Sequence, residues 1–245
     1  MPRIKLTLEY DGTQYFGWQR QPTLPTIQKV LEDKTSQISQ DRIQVIGAGR
    51  TDAGVHAKAQ VAHFDTQSKM TPLMWQRALN GILPPDISVI KTEKVPQHFH
   101  SRYSAIRKCY QYTILNRSFP SPFSRNHAWC IFSPLNVSKM RKGADMFKGK
   151  HDFNSFRSSS CNAKHTLITL RRLDIDKKGE FIFLTFEARS FLMHMVRHLV
   201  GYLVTLGQEK ITLKDLKGFL NGSFQKHSQT APPHGLCLLH VKYPK

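Results

Sequence analysis

Apolar residues alternate with polar ones in some stretches of the chain and recur every three or four positions in others. The two periods mark strands and helices. The opening RIKLTLEYD alternates and predicts a strand. TIQKVLEDKTSQISQ follows, with Ile27, Val30, Leu31 and Ile38 at helical spacing. IQVIGAG and AQVAHFDT read as two further strands around a glycine-rich turn. PLMWQRALNGIL carries Pro72 early and Gly81 late, the usual punctuation of a helix. ISVIKTEKV then closes the first half as a strand.

The second half repeats this plan with longer insertions. KCYQYTILN predicts a strand, and NVSKMRKGADMFKG a helix capped by Asn136. LITLRRLDIDKKGEFIFLTFEA predicts a hairpin about its Lys-Lys-Gly turn. FLMHMVRHLVGYLVTLG reads as a long helix ending at Gly207, TLKDLKGFLNG as a short one, and LCLLHVKY as a final strand. RSFPSPFSRNHAWCIFSPL is rich in Pro and Ser and is expected as a surface excursion. The fold class is therefore α+β, with two related split β-α-β halves, 1–104 and 105–245, joined near residues 101–106. Helices are expected on one face of a mainly antiparallel sheet, leaving the other face open to a ligand.

Composition narrows the partner. The chain has 245 residues, enough to bury a sizeable core, and 40% of them are hydrophobic. Lys plus Arg number 36 against 17 Asp plus Glu, a net charge of +19 spread along the whole sequence. Such an excess calls for a polyanionic partner. The N-terminus alternates as a strand and lacks the apolar core of a signal peptide. No run approaches the roughly 18 apolar residues of a membrane span. A cytoplasmic protein with no membrane contact is expected. Cys109, Cys130, Cys161 and Cys237 lie far apart without a CxxC pair, which predicts reduced thiols.

Candidate chemistry centres on VIGAGRTDAGVHAKAQVAHFDT, residues 45–66, where glycines surround Arg50, Thr51 and Asp52. A P-loop needs Lys and Ser/Thr after its last Gly, but Val55 and His56 stand there. A dinucleotide loop needs a third Gly where Asp52 stands. What remains is an acid on a loop whose glycines let backbone and substrate approach closely. His194 and His198 have helical spacing but lack the Glu of H-E-x-x-H and any evident Cys or carboxylate cluster, so they read as a surface or groove-lining pair. The HFH run at 98–100 reads as strand-end packing or an anion contact. Ser158, Ser159 and Ser160 lack a G-x-S-x-G elbow and fit a flexible basic loop. Aromatic and basic residues interleave twice: Tyr10, Tyr15, Phe16, Trp18 and Arg20, then Arg102, Tyr103, Arg107, Lys108, Tyr110 and Tyr112. Such mixtures stack bases while holding phosphates, although ordinary strand packing is expected to claim about half of these rings.

EYDGTQYFGWQRQ, GAGRTDAGVHAKAQVAHFDT, KCYQYTILN, FLMHMVRHLVG and APPHGLCLLHVKYP occur in this order. Together they resemble the tRNA pseudouridine synthase A family over nearly the whole chain. The resemblance implies isomerisation of uridine to pseudouridine at positions 38, 39 and 40 of the tRNA anticodon arm. It also implies a homodimer, a continuous eight-stranded sheet and no cofactor or metal. Matched residue by residue, Asp52 is the catalytic aspartate, and Arg50 helps to displace the target base. Tyr110 stacks on the target uracil, Arg197 pairs with the catalytic carboxylate, and Leu236 lines the base pocket. One departure is Lys108-Cys109 before Tyr110, where the resemblance leads one to expect two basic residues.

The implied reaction breaks an N-glycosidic bond, turns the uracil and rejoins it through carbon. A carboxylate serves it by attacking C6 of the base, by attacking C1′ of the ribose, or by initiating loss of the 2′ proton, and the sequence does not choose among these routes. A stacked, paired base must first be flipped out. Two other classes answer the same charge: a noncatalytic RNA-binding module, which a tRNA isomerisation assay separates, and a metal-dependent nuclease using His194 and His198, which a chelator would inactivate.

Overall fold

A computed structural model describes residues 1–222 and 229–244. The chain divides into two compact units, Met1–Ile106 with Cys237–Lys245, and Arg107–Leu236. The first contains β1 (Arg3–Tyr10), α1 (Ile27–Ser39), β2 (Ile46–Gly47), β3 (His56–Asp65), α2 (Pro72–Ile82) and β4 (Ile87–Val95). The second contains β5 (Arg107–Asn116), β6 (Trp129–Ile131), α3 (Val137–Phe147), β7 (Gly149–Asp152), β8 (Leu167–Lys178), β9 (Phe181–Ala188), α4 (Met195–Gly207) and α5 (Leu213–Leu220). The last strand, β10 (Leu236–Lys242), groups with the first unit from Cys237 onward. It does so because it runs parallel along β3, with Cys237 opposite His56 and Leu238 opposite Ala57.

In the first unit β1 lies antiparallel to both β3 and β4. Its alternation does what the sequence predicts: Ile4, Leu6, Leu8 and Tyr10 are all buried. Ile4 stands opposite Phe64 and Leu6 opposite Ala62, so these side chains share one face. Trp75 of α2 meets Phe64 edge-on at 5.0 Å on that face. Thr26 and Thr71 cap α1 and α2 by accepting hydrogen bonds from the Lys29 and Met74 N–H groups. The strand expected over IQVIGAG shrinks to Ile46–Gly47. Its preceding backbone is satisfied by α1 side chains instead: Val45 N–H donates to Glu32 Oε1 and Gln28 Nε2 donates to Val45 O.

The opposite face of this sheet is partly roofed. Lys5 Nζ lies 5.7 Å from the Phe99 ring and 5.5 Å from that of Tyr243. His63 is buried here, and its Nδ1 accepts the Ser101 N–H at 3.2 Å, which requires a ring with an unprotonated Nδ1. Burial, then the charges of Arg3 and His100, push its pKa down to about 4. A histidine whose folded pKa lies below its unfolded value of about 6.5 binds its proton more readily when unfolded. Its stability contribution is therefore complete above pH 6.5 and is lost as pH falls toward 4, by at most about 3 kcal/mol. Urea denaturation of wild type between pH 7 and 4.5 should show this acid loss, and His63→Gln should show a flatter profile. An unchanged acid slope in the variant would assign the loss to other groups.

In the second unit β5, β9, β8 and β7 pair antiparallel in that order, and β6 adds to β5 in parallel. Leu173 and Ile175 stand opposite Phe186 and Leu184, and all four are buried on one face. The helix α3 packs against β8, where Arg141 Nε donates to the Ile175 carbonyl at 3.0 Å. An aromatic run of Phe147, Phe156, Tyr202 and Phe219 continues this core, with successive ring centroids 5.3, 5.3 and 4.6 Å apart. A Cβ on Gly143 would stand 2.5 Å from Leu206 Cδ2, so the close approach of α3 and α4 depends on that glycine. Asn136 caps α3 as predicted, and Thr212 with Asp215 forms a capping box on α5.

The α+β class and mainly antiparallel pairing are as expected from the sequence. The eight strands expected correspond to the four-strand paths β4-β1-β3-β10 and β5-β9-β8-β7, with short β2 and β6 added beside them. The fourth helix begins at Met195 rather than Phe191, because His194 adopts φ +62° and cannot continue a helix N-terminally. No helix among the described residues is long and apolar enough to cross a membrane.

Candidate active site

The segment 48–55 connects β2 to β3 and carries Arg50 and Asp52. Its base is fixed by the sheet. Ala48 N–H donates to Val61 O at 2.7 Å, and Gln60 Nε2 donates to Gly49 O at 2.9 Å. Thr51 is buried, and its Oγ1 lies 2.9 Å from the Tyr10 hydroxyl. Burial pushes the Tyr10 phenol well above its ordinary range, so this is a bond between neutral hydroxyls. Val55 N–H closes a turn on Asp52 O at 3.2 Å, and Gly54 takes φ +75° within it. Asp52 itself is half-buried and Arg50 is exposed.

A second loop, Gly12–Trp18, clamps the first. Trp18 N–H donates to Thr51 O at 3.0 Å, and Gly54 N–H donates to Tyr15 O at 3.2 Å. Gly12 N–H donates to His56 Nδ1 at 3.0 Å. The two backbones touch so closely that a Cβ at Gly12 would lie 2.1 Å from Val55 O. One at Gly17, where φ is +86°, would lie 2.6 Å from Thr51 O. Glycine is required at both positions for the loops to meet. Backbone bonds and hydroxyls thus fix the chain on both sides of Asp52, so the carboxylate projects from a rigid support rather than a mobile loop.

The second unit holds the other expected residues. Tyr110 lies on β5 opposite Phe186, which puts its ring on the same face as Tyr112 and the helix-packed core. It is therefore not on the open sheet face on which a ligand was expected. Its ring meets Phe191 edge-to-face, with centroids 5.3 Å apart and planes at 90°. Cys109, the departure from the resemblance, points to the opposite face beside Glu187. Arg197 sits in the first turn of α4, where its Nε donates to Ala231 O at 2.8 Å and its carbonyl accepts the Ala231 N–H at 3.2 Å. The same segment supplies Pro232 O, which accepts from the Tyr112 hydroxyl at 2.8 Å. A Cβ on Gly235 would lie 2.6 Å from Tyr112 Cζ, so the short turn Pro233–Gly235 rests on that ring and places buried Leu236 after it.

Arg50 and Asp52 thus share one clamped loop, whereas Arg197 on α4 is bonded to the segment, braced by Tyr112, that leads into Leu236. His194 and His198 have ring centroids 6.1 Å apart, and no third His, Cys, Asp or Glu ligand gathers with them among the described residues. Three supports escape sequence reasoning: the Tyr10–Thr51 bond, the Ala231 carbonyl on Arg197 and the Phe191 ring on Tyr110. Only the first left a signal, in that Gly12 and Gly17 punctuate EYDGTQYFGWQ where no ordinary turn needs both.

The family model described as tRNA pseudouridine synthase matches residues 7–104 and 144–244, which include Arg50, Asp52, Arg197 and Leu236. A protein of Bartonella tribocorum named tRNA pseudouridine synthase A is 44% identical over 247 residues, covering 99% of this chain and 100% of its own. Proteins of the same name from Geobacter sp. (strain M21) and Thermoanaerobacter sp. (strain X514) are each 42% identical, over 100% and 99% of this chain and the whole of their own.

Proposed function

The chain belongs to the tRNA pseudouridine synthase family, and from that premise we propose that it isomerises uridine to pseudouridine in tRNA, at positions 38, 39 and 40 of the anticodon arm. Asp52 is the catalytic carboxylate of this reading. The observation that carries it is the clamp on the Asp52 loop, in which Thr51 is fixed by Tyr10 through its side chain and by Trp18 through its backbone. A nucleophile or base gains from such fixation because the reacting atoms must be held in line.

Isomerisation conserves atoms and electrons: the bond from C1′ to N1 breaks, the bond from C1′ to C5 forms, C5 gives up its proton and N1 gains one. The reaction itself asks for no redox or group-carrying cofactor. Its demands are a flipped base, a carboxylate and a surface on which the detached uracil can turn. The exposed Arg50, beside Asp52 on the loop, takes the place of the extruded base. The ring of Tyr110, held at right angles by Phe191, supplies the stacking face, worth roughly 1–3 kcal/mol for a base. Arg197, locked by Ala231, supplies a guanidinium of fixed direction. Leu236 gives the pocket an apolar wall. The working assembly in this reading is a homodimer in the cytoplasm.

Binding is expected to follow charge and shape. With a net charge of +19, tRNA affinity should fall steeply with salt. A log–log slope of several units is expected, each neutralised phosphate contributing roughly 0.7–0.9. A slope near zero between low and moderate salt would refute electrostatic docking. The function itself is tested with an unmodified tRNA transcript bearing uridine at positions 38, 39 and 40. Pseudouridine should appear at those positions and nowhere outside the anticodon arm, and formation elsewhere would move the proposed target.

A further inference from the structure

Segment 98–104 roofs the face of the first unit's sheet that turns away from its helices, and it carries an aromatic ring with no counterpart in the mechanism above. Tyr103 is 71% exposed. An exposed tyrosine is ordinary when it is mobile. This one is built into a closed turn. The His100 Nδ1 accepts the N–H groups of both Arg102 and Tyr103, at 3.1 and 3.2 Å. The Ser104 Oγ accepts the His100 N–H at 3.0 Å, and the Ser104 N–H returns to His100 O at 2.9 Å.

The ring itself is supported from below. The His100 ring lies 4.3 Å from that of Tyr103 at 35°, and the His63 ring meets His100 at 5.0 Å. Burial, then Arg3 and Arg102, lower the His100 pKa, which keeps Nδ1 available as an acceptor. The Arg102 guanidinium stands 5.7 Å from the Tyr103 centroid. Beneath them Ser101 is fully buried, receives the Tyr243 hydroxyl on its carbonyl at 2.7 Å, and donates its own hydroxyl to Ile46 O at 2.6 Å. Ile46 belongs to β2, the strand that leads into the Asp52 loop. The exposed ring is thus tied to the element that positions the catalytic carboxylate.

A fixed ring loses little conformational freedom on binding, so nearly all of a stacking contact is retained. A cation beside it adds a phosphate contact. The turn itself, HFHSRYS at residues 98–104, contains Arg102 and no acidic residue, so its charge suits a polyanion rather than an acid-and-base protein surface. We propose that Tyr103 and Arg102 form an accessory docking point for the tRNA substrate, in which the tyrosine ring stacks on an unpaired base other than the target uridine and the guanidinium holds a neighbouring phosphate. The inference rests on the tRNA reading above and adds a binding contact that the chemistry does not use.

Three variants of the full chain test it by filter binding and by single-turnover isomerisation at saturating enzyme. Tyr103→Ala should weaken tRNA binding about ten-fold while leaving the saturated rate within about two-fold. Tyr103→Phe, which keeps the ring and its packing on His100, should bind like wild type. Arg102→Gln should lower the log–log salt slope by about 0.7–0.9. Wild-type affinity in Tyr103→Ala, or equal loss in the Phe variant, would overturn stacking. A change in native mass by light scattering, with affinity unchanged, would reassign the platform to contact between protein copies. If wild type forms no pseudouridine, the enzymatic reading fails, whereas the binding comparison still decides whether the platform holds RNA.

Discussion

Asp52→Asn is expected to stop isomerisation while tRNA binding stays intact. The amide keeps the size of the carboxylate and most of its hydrogen bonds, but it is a far poorer nucleophile and base. Single-turnover yield should fall by several orders of magnitude. Affinity should be unchanged or slightly tighter, since one negative charge among phosphates is removed. Asp52→Glu should fail as well. Its extra methylene moves the carboxylate by about an ångström, and the surrounding loop cannot yield, because Thr51 is held by Tyr10 and Trp18. Yield with excess enzyme, measured beside a binding curve, separates the outcomes: normal yield from the Asn variant ends the catalytic assignment, and loss of binding together with yield makes the loop a folding element.

The second large effect is expected at a residue far less conspicuous. Gly17→Ala places a methyl group 2.6 Å from Thr51 O at a backbone φ of +86°. Backbone on both sides must shift, and the Trp18–Thr51 bond that supports Asp52 shifts with it. A displacement near 1 Å costs on the order of 100-fold in rate, so kcat should fall by at least that much while tRNA affinity changes little. Gly81→Ala is the matched control. It lies in α2, where an added Cβ meets nothing within 4 Å, and alanine favours a helix. Activity close to wild type in Gly17→Ala would show that the clamp does not position the loop.

Much of the fold is legible in the sequence itself. The β1 alternation survives because one face of that strand is buried throughout, and the cap Asn136 is a local signal that tertiary packing had no reason to override. The Arg-Thr-Asp turn stood out for a related reason: its residue types match neither of the phosphate-loop patterns. What stayed hidden depends on partners distant in sequence. IQVIGAG reads as a strand, but Glu32 and Gln28 of α1 take over the Val45 backbone. FLMHMVRHLVG reads as continuous helix, but His194 turns left-handed, and Phe191, freed from the helix, meets Tyr110. The β7 residues GKHD are too short and polar to announce a strand, which they form only by pairing with β8. The face on which Tyr110 stands is a matter of register, which periodicity leaves open until Phe186 is known to lie opposite.

The most direct test is position-resolved pseudouridine mapping of total tRNA from cells that express the protein, cells that lack it, and cells that carry only Asp52→Asn. The account predicts pseudouridine at positions 38, 39 and 40 in the first population and its loss from those positions alone in the other two. Retention of the modification in cells lacking the protein, or its restoration by the Asn variant, would contradict the account.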